Sequence, residues 1–259
     1  MMTAHLMEIF EMKCKFVVVS KNDKFKLDET RLNAVVEPKY EILSKFISNN
    51  TKPLAKVYNE ELVDARKDSS IDYLVFLHSD VSFNVSSFLS HLEECGPNYD
   101  VIGLCGTSVF NVSQSPLNWW NGSNPNPFSR WGCVTHGELG DQTSYFSNHF
   151  PNIRDVEVAC IDGLCIIFAR KALDSEMTFD EDLGAYDFYD TDISCQAMMK
   201  YGLKLGVMVQ HDLCHYSVGK SILKDSFLES EVKFRKKWNF PIPPGSAVEK
   251  FINNKMLSK

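Results

Sequence analysis

The 259-residue chain has no Cys-X-X-Cys pair among its eight cysteines, no excess of basic residues and no apolar run of membrane-spanning length. Each absence removes a class of protein. Cys105, Cys160 and Cys165 lie inside apolar runs, where free thiols behave as small hydrophobes, so disulfides are not expected and a reducing cytoplasm is. A net charge of −7 argues against a nucleic-acid partner, because such affinity rests on neutralising phosphates. No segment is long enough to cross a bilayer. No basic segment, apolar core and small-residue cleavage site open the sequence, so no signal peptide is expected. In a protein outside the secretory route, the four sequons at Asn49, Asn84, Asn111 and Asn121 are chance features of an Asn- and Ser-rich sequence. There is no internal repeat, and nothing bears on oligomeric state.

What is present is a substantial apolar fraction, 44%, enough for one large α/β domain or two small ones. Its clearest element is Tyr73-Leu-Val-Phe-Leu77, an apolar run that reads as a central parallel strand covered on both faces. The run ends in His78-Ser79-Asp80-Val81. Ligands of open α/β sheets bind beyond the carboxyl ends of such strands. A carboxylate placed there can hold a hard divalent cation, which in turn neutralises a diphosphate, so a nucleotide-linked substrate is expected.

Around it the chain alternates. Lys15 to Ser20 reads as a first strand, residues 32 to 48 as a helix, and Leu54, Tyr58, Leu62 and Ala65 as one apolar helix face leading into Tyr73. A short helix carrying Phe88, Leu89 and Leu92 precedes a strand over Val101 to Cys105. Residues 106 to 155 break the rhythm with Asn, Pro, Gly and three tryptophans, Trp119, Trp120 and Trp131, the composition of a functional loop. Val156 to Ala169 returns to strand character around Asp162-Gly163, and an acidic, aromatic stretch runs from Phe179 to Asp192. A helix with Ile193, Ala197 and Tyr201 in register ends at Gly202, and Leu205 to Val209 is the last strand. Leu223, Phe227, Phe234 and Trp238 mark an amphipathic helix that Pro241, Pro243 and Pro244 stop, leaving a short tail.

The order of these pieces resembles a family 2 glycosyltransferase of the GT-A fold, in particular the bacterial and viral subgroup with an HxD variant of the DxD motif. The pieces are Leu54-Ala-Lys-Val-Tyr-Asn59, His78-Ser-Asp80-Val81, Val101-Ile-Gly-Leu-Cys-Gly106, Trp119-Trp120, Asp162-Gly163, Phe179-Asp-Glu181, Tyr189-Asp190-Thr-Asp192 and His215. The chain departs from the family at the first Asp of DxD, here His78, and at the usual Glu-Asp pair, here Tyr189-Asp190. The resemblance implies a mostly parallel central sheet flanked by helices. It places a catalytic domain over residues 1–220, with a donor-binding half at about 14–106 and an acceptor-binding half at about 107–220. Residues 221–259 form a helical extension.

It also implies a metal-dependent, inverting transfer of sugar from a UDP- or GDP-linked donor to a glycan or lipid-linked acceptor. Asp80 and His215 would hold Mn²⁺ or Mg²⁺. Ser20, Asn22, Asp23, Asn59, His78, Ser79 and Asp80 would contact the donor. Trp119, Trp120, Trp131, Asp162, Gly163 and Asp192 would contact the acceptor, the indoles by stacking on a sugar face. Asp190 is the candidate base, ahead of Asp192 and Asp187.

Ordinary roles stand beside each assignment. Asp80 is also a candidate helix cap, Asp190 and Asp192 are candidate caps of the helix near Thr191, and His78 is a candidate core histidine. His211 and Asp212 read equally as the polar end of a strand. The run Lys233, Arg235, Lys236 and Lys237 is a solvated face or a weak membrane-surface contact. Two further functions are weighed. A nucleotidyltransferase would carry a Gly-rich loop after the first strand, where this chain has Ser20-Lys-Asn-Asp-Lys24; a non-catalytic carbohydrate-binding protein would not need the acidic cluster.

Overall fold

A computed structural model of the chain describes residues 11–33, 37–113, 117, 129–137, 143–145, 152–184, 186–217 and 224–257. The chain opens with β1 (Met12–Val19), α1 (Glu29–Asn33), β2 (Tyr40–Ile47), α2 (Leu54–Lys67), β3 (Tyr73–His78), β4 (Val81–Ser82) and α3 (Val85–Cys95). Next come the short strands β5 (Val101–Gly103), β6 (Cys105–Thr107), β7 (Arg130–Gly132), β8 (Val134–His136), β9 (Thr143–Tyr145), β10 (Asp155–Glu157) and β11 (Cys160–Ile161). The chain continues through β12 (Cys165–Ala169), α4 (Arg170–Leu173), α5 (Tyr189–Cys195), β13 (Leu205–Met208), β14 (Leu213–His215), α6 (Asp225–Trp238) and α7 (Ala247–Leu257).

Seven strands form the central sheet in the order β10-β13-β5-β12-β3-β1-β2. This is the helix-flanked α/β architecture that the resemblance implied, with five of the seven strands running in one direction and two, β10 and β12, reversed. The chain turns at Asp162–Leu164 and sends β12 back between β3 and β5, antiparallel to both, and β10 is antiparallel to β13. Alternation along β3 sorts its side chains to two cores. Leu74 and Phe76 join Tyr58 and Leu62 of α2 on one face, and Val75 and Leu77 join Phe88 and Leu89 of α3 on the other.

Two expectations change. The helix expected over 32–48 is mostly the edge strand β2, with helix only at Glu29–Asn33: Pro38 cannot sit inside a helix, and the Tyr, Ile and Phe side chains that follow pack on a strand beside β1. Beyond Pro241, Pro243 and Pro244 the chain forms α7, packed back through the buried Val248, instead of a short tail.

The basic run on α6 is not one free cationic face. Arg235 is buried in an ion pair with Glu231 and donates to the Val112 and Pro241 carbonyls, Lys237 pairs with Asp180 and Asp192, and Lys233 donates to the Asp182 carbonyl. Lys233 and Lys236 stay exposed. Among the described residues, no helix is long and apolar enough to cross a membrane.

Candidate active site

β1 and β3 end side by side, Val19 paired with His78, so the loops that follow both strands open at one edge of the sheet. The Lys26 N–H donates to the Ser79 carbonyl at 2.8 Å and ties the two loops together. Between them lies a cavity of about 700 Å³ lined by Ser20, Asn22, Asp23, His78, Ser79 and Asp80, with Lys21, Lys24 and Lys26 adding positive charge. Two of the ammonium groups are held over rings, Lys21 on Tyr186 at 3.8 Å and Lys26 on Tyr216 at 4.2 Å.

β14 brings in a second histidine. It pairs with β4, His215 opposite Val81, and with β8, His215 opposite His136. One ligand atom from each of His78, Asp80 and His215 then lies within 4.8 Å of the others. Burial pushes the Asp80 carboxyl up, but the hydrogen bond and charge of His215 outweigh it and the net shift is downward. Burial also lowers His215, yet the Asp80 hydrogen bond and charge raise it overall. His78 is pushed down to about 4 by burial, opposed by Asp80 and assisted by His215. It is therefore neutral near pH 7, the form that ligates metal. Nδ1 of His215 is buried and makes no hydrogen bond among the described residues. Two imidazoles and a carboxylate suit Mn²⁺ better than the harder Mg²⁺.

The third part of the site is the start of α5. Phe188 precedes it at φ 63°, a left-handed conformation that a bulky side chain adopts only when its surroundings hold it, here by contact with Phe227 and Phe234. This sharp bend aims Tyr189 and Asp190 inward. Oδ2 of Asp190 accepts the Gly163 N–H at 2.9 Å, and Oδ1 accepts the Thr191 N–H at 2.7 Å. Burial, then the neighbouring Asp162 charge, raise the Asp190 carboxyl to about 7 despite these bonds. Asp162 itself accepts the Leu164 N–H at 2.8 Å. The Tyr189 hydroxyl reaches Nε2 of His78 at 2.7 Å, linking the α5 end of the site to the cavity.

Several ordinary alternatives are settled. The helix after β3 is capped by Asn84, whose side chain accepts the Ser87 N–H, so Asp80 is free of that duty. Asp212 accepts the Asn84 N–H at 2.7 Å and stands as the polar end of its turn.

Two assigned residues are not brought to the site. Asn59, expected at the donor, exchanges hydrogen bonds with the Phe179 backbone on both its amide oxygen and nitrogen and reaches Glu181, so its polar atoms join α2 to the 179–181 segment. Asp192, expected at the acceptor, is fully buried: it pairs with Lys237 at 2.8 Å, accepts the Trp238 indole N–H at 2.8 Å and the Gln196 amide at 2.7 Å. It fastens α6 to α5. Trp119 and Trp120 lie outside the described residues. Trp131, on β7, donates to Ser108 Oγ at 3.2 Å and packs against the α2-side core. Asp187 is half-buried, its carboxyl raised by burial and opposed by Lys224.

Sequence reasoning gave no role to Lys26, His136 or Tyr189. His136 comes within 5.1 Å of His215, ring centre to ring centre, through strand pairing that leaves no local pattern. For Tyr189 the departure from the family pair was the available signal.

A family model described as "Glycosyltransferase like family" matches residues 14–238, and the chain belongs to that family. Its members are glycosyltransferase-like enzymes, in keeping with the helix-flanked sheet and the open site described above. No curated protein matches the sequence. Solved structures with a similar fold include A197 from STIV, at 13% identity and a TM-score of 0.43, over 82% of this chain and 98% of that one. S. aureus TarS is 12% identical with a TM-score of 0.47 over 85% of this chain and 38% of TarS. GalNAc-T7, solved with UDP, GalNAc and Mn²⁺, is 10% identical with a TM-score of 0.45 over 88% of this chain and 48% of its own. The chain thus spans less than half the length of TarS and GalNAc-T7.

Proposed function

We propose that the protein transfers a sugar, with inversion, from a UDP- or GDP-linked donor to a hydroxyl of a glycan or lipid-linked acceptor in surface polysaccharide assembly. The observation that carries this reading is the meeting of His78, Asp80 and His215 at a cavity of about 700 Å³ walled by the loops after β1 and β3. The cavity suits a nucleoside diphosphate: Ser20, Asn22 and Asp23, which line it, would read a base edge, and Lys21, Lys24 and Lys26 would meet the phosphates. Asp80, His215 and His78 would hold Mn²⁺ or Mg²⁺. When bound, the cation neutralises charge on the departing diphosphate.

Asp190 acts from the other side. Oδ1 already accepts both the N–H and the hydroxyl of Thr191, whereas among the described residues Oδ2 accepts the Gly163 N–H alone, which leaves it capacity for a further hydrogen bond. The acceptor hydroxyl gives its proton to Oδ2 as its oxygen bonds to the anomeric carbon and the bond from that carbon to the phosphate oxygen breaks. A carboxyl near 7 is tuned for that transfer at neutral pH. Asp162 and Gly163 border this proton-accepting position and are assigned to the acceptor side, with Trp119, Trp120 and Trp131 as the sugar platform. Eight free cysteines, six of them buried, suit a reducing cytoplasm.

A panel of nucleotide sugars screened by thermal shift with and without Mn²⁺ tests the reading, because a ligand that binds only the folded state raises its melting temperature. A metal-dependent rise for one donor supports it, and slow hydrolysis of that donor separates an enzyme from a binding module. A panel with no metal-dependent rise overturns it.

A further inference from the structure

Tyr189 is buried, with its ring edge-on to Tyr58 and tilted against Phe179, and its hydroxyl stands 2.7 Å from Nε2 of His78. The hydroxyl fits because position 163 has no side chain: a Cβ there would lie 2.0 Å from the Tyr189 oxygen. The same Gly163 donates its N–H to Oδ2 of Asp190, the residue that follows Tyr189. A run of contacts therefore links His78 to Tyr189, and Tyr189 and Asp190 to Gly163. His78 and Tyr189 are also the two positions at which the chain departs from the wider family, the first together with its HxD subgroup, and these two positions touch.

We infer that Tyr189 is a positioning residue that fixes the ring orientation of His78 and so couples the donor-phosphate side of the site to the Asp190 side. The coupling has functional meaning only if the donor site proposed above is correct. A neutral imidazole has one donor and one acceptor nitrogen, and a hydroxyl, which serves either, holds the ring plane by its bond to Nε2 and leaves Nδ1 facing the other side. Metal-ligating histidines are held by such second contacts, whose loss loosens the metal without removing a ligand. Tyr189 and Asp190 share the first turn of α5, so a displaced Tyr189 ring moves the backbone that carries the base. A tyrosine that only filled the core would keep its packing as phenylalanine and leave His78 unchanged.

The test is Tyr189→Phe, which keeps the ring and deletes the hydroxyl. In the full chain labelled with ¹⁵N-histidine, without metal or nucleotide, the His78 ring nitrogens are identified by their loss in His78→Gln. The His78 nitrogen resonances are expected to move in Y189F, because Nε2 loses its partner. Affinity for Mn²⁺ with UDP, by calorimetry, should fall about three- to tenfold, the worth of one hydrogen bond, and adding Y189F to His78→Ala should cause no further loss. Unchanged His78 nitrogen shifts in Y189F, or an equal loss of affinity in the H78A background, overturns the inference. A parent that binds neither Mn²⁺ nor UDP counts against the proposed function alone, since the nitrogen shifts are read without either. If Y189F does not fold, 3-fluorotyrosine labelling of the parent and of His78→Asn reads the same contact from the other side. The Tyr189 fluorine resonance moves with the substitution if the bond exists, and a resonance that stays in place overturns it.

Discussion

Nε2 of His215 stands 3.5 Å from Oδ1 of Asp80 because β14 runs beside β4 and sets His215 opposite Val81. The Tyr216 N–H then donates to the Asp80 carbonyl at 2.8 Å, so backbone as well as side chains hold the pair together. A carboxylate and an imidazole fixed this way form a preorganised ligand pair rather than two surface residues that drift together.

Asp80→Ala should therefore abolish the Mn²⁺-dependent part of UDP binding, and His215→Ala should weaken it by about tenfold or more, on the scale of losses at metal sites. Calorimetry with UDP in the presence of Mn²⁺ or of a chelator reads both. A D80A protein that binds Mn²⁺ and UDP as the parent does would remove the metal from the site.

Asp190 sets the pH dependence. Its carboxyl is raised from 3.8 to about 7, so below that pH it holds a proton and accepts none from the acceptor. The transfer rate should climb with pH to a plateau above about 7, with the limb belonging to Asp190 and Asp162 together. Asp162→Asn should move the limb to lower pH, because it removes the neighbouring negative charge. Asp190→Asn should cost about 10²–10⁴ in rate with donor binding retained.

The same shift carries a stability consequence of opposite sign from that of an ordinary paired carboxylate. A folded-state value above the unfolded one means the folded protein binds the proton more tightly, so this group's contribution falls as pH rises from 3.8 toward about 7. Chemical denaturation of parent and D190N from pH 5 to 8 should show the parent losing stability relative to the variant.

Gly163 is constrained by space. Its added Cβ would meet the Tyr189 hydroxyl oxygen at 2.0 Å and the ring carbon behind it at 2.4 Å, and the buried tyrosine has no room to retreat. Gly163→Ala should destabilise by about 1–3 kcal/mol, the usual cost of overpacking, seen as a drop of several degrees in Tm. A Tm equal to the parent's would mean that the Tyr189 ring is not held where the site requires it.

Asp192 and Lys237 form the bolt between α5 and α6. Lys237→Ala leaves a carboxylate that is wholly buried with only Trp238 and Gln196 as partners, which should cost about 3 kcal/mol, at the lower end for breaking a buried pair. Urea denaturation measures it. The KM for the acceptor should stay unchanged, in contrast to what an acceptor-binding Asp192 would give.

Much of the side proposed for the donor was legible before any coordinates. Apolar periodicity is local, so Leu54, Tyr58 and Leu62 announced α2, and the run from Tyr73 announced a strand that delivers His78 and Asp80 to an open edge. The acceptor side was less so. Asp190 and Asp192 look alike in sequence, two carboxylates one residue apart, and only the fold shows one accepting the Gly163 N–H while the other is sealed under α6. Asn59 misled for the same reason, since a polar residue on an amphipathic helix gives no sign of which neighbour it will bond.

The sequence by itself determined the apolar pattern, hence the principal α/β core elements and the site-bearing strand end, because burial rewards residues at fixed short spacing. Tertiary structure alone decided that β12 returns antiparallel between β3 and β5, that His215 reaches Asp80 with His136 beside it, and that Tyr189 meets His78. These contacts join segments far apart in the chain. Long-range strand pairing and close packing fix them, and neither leaves a periodic trace in the residues concerned.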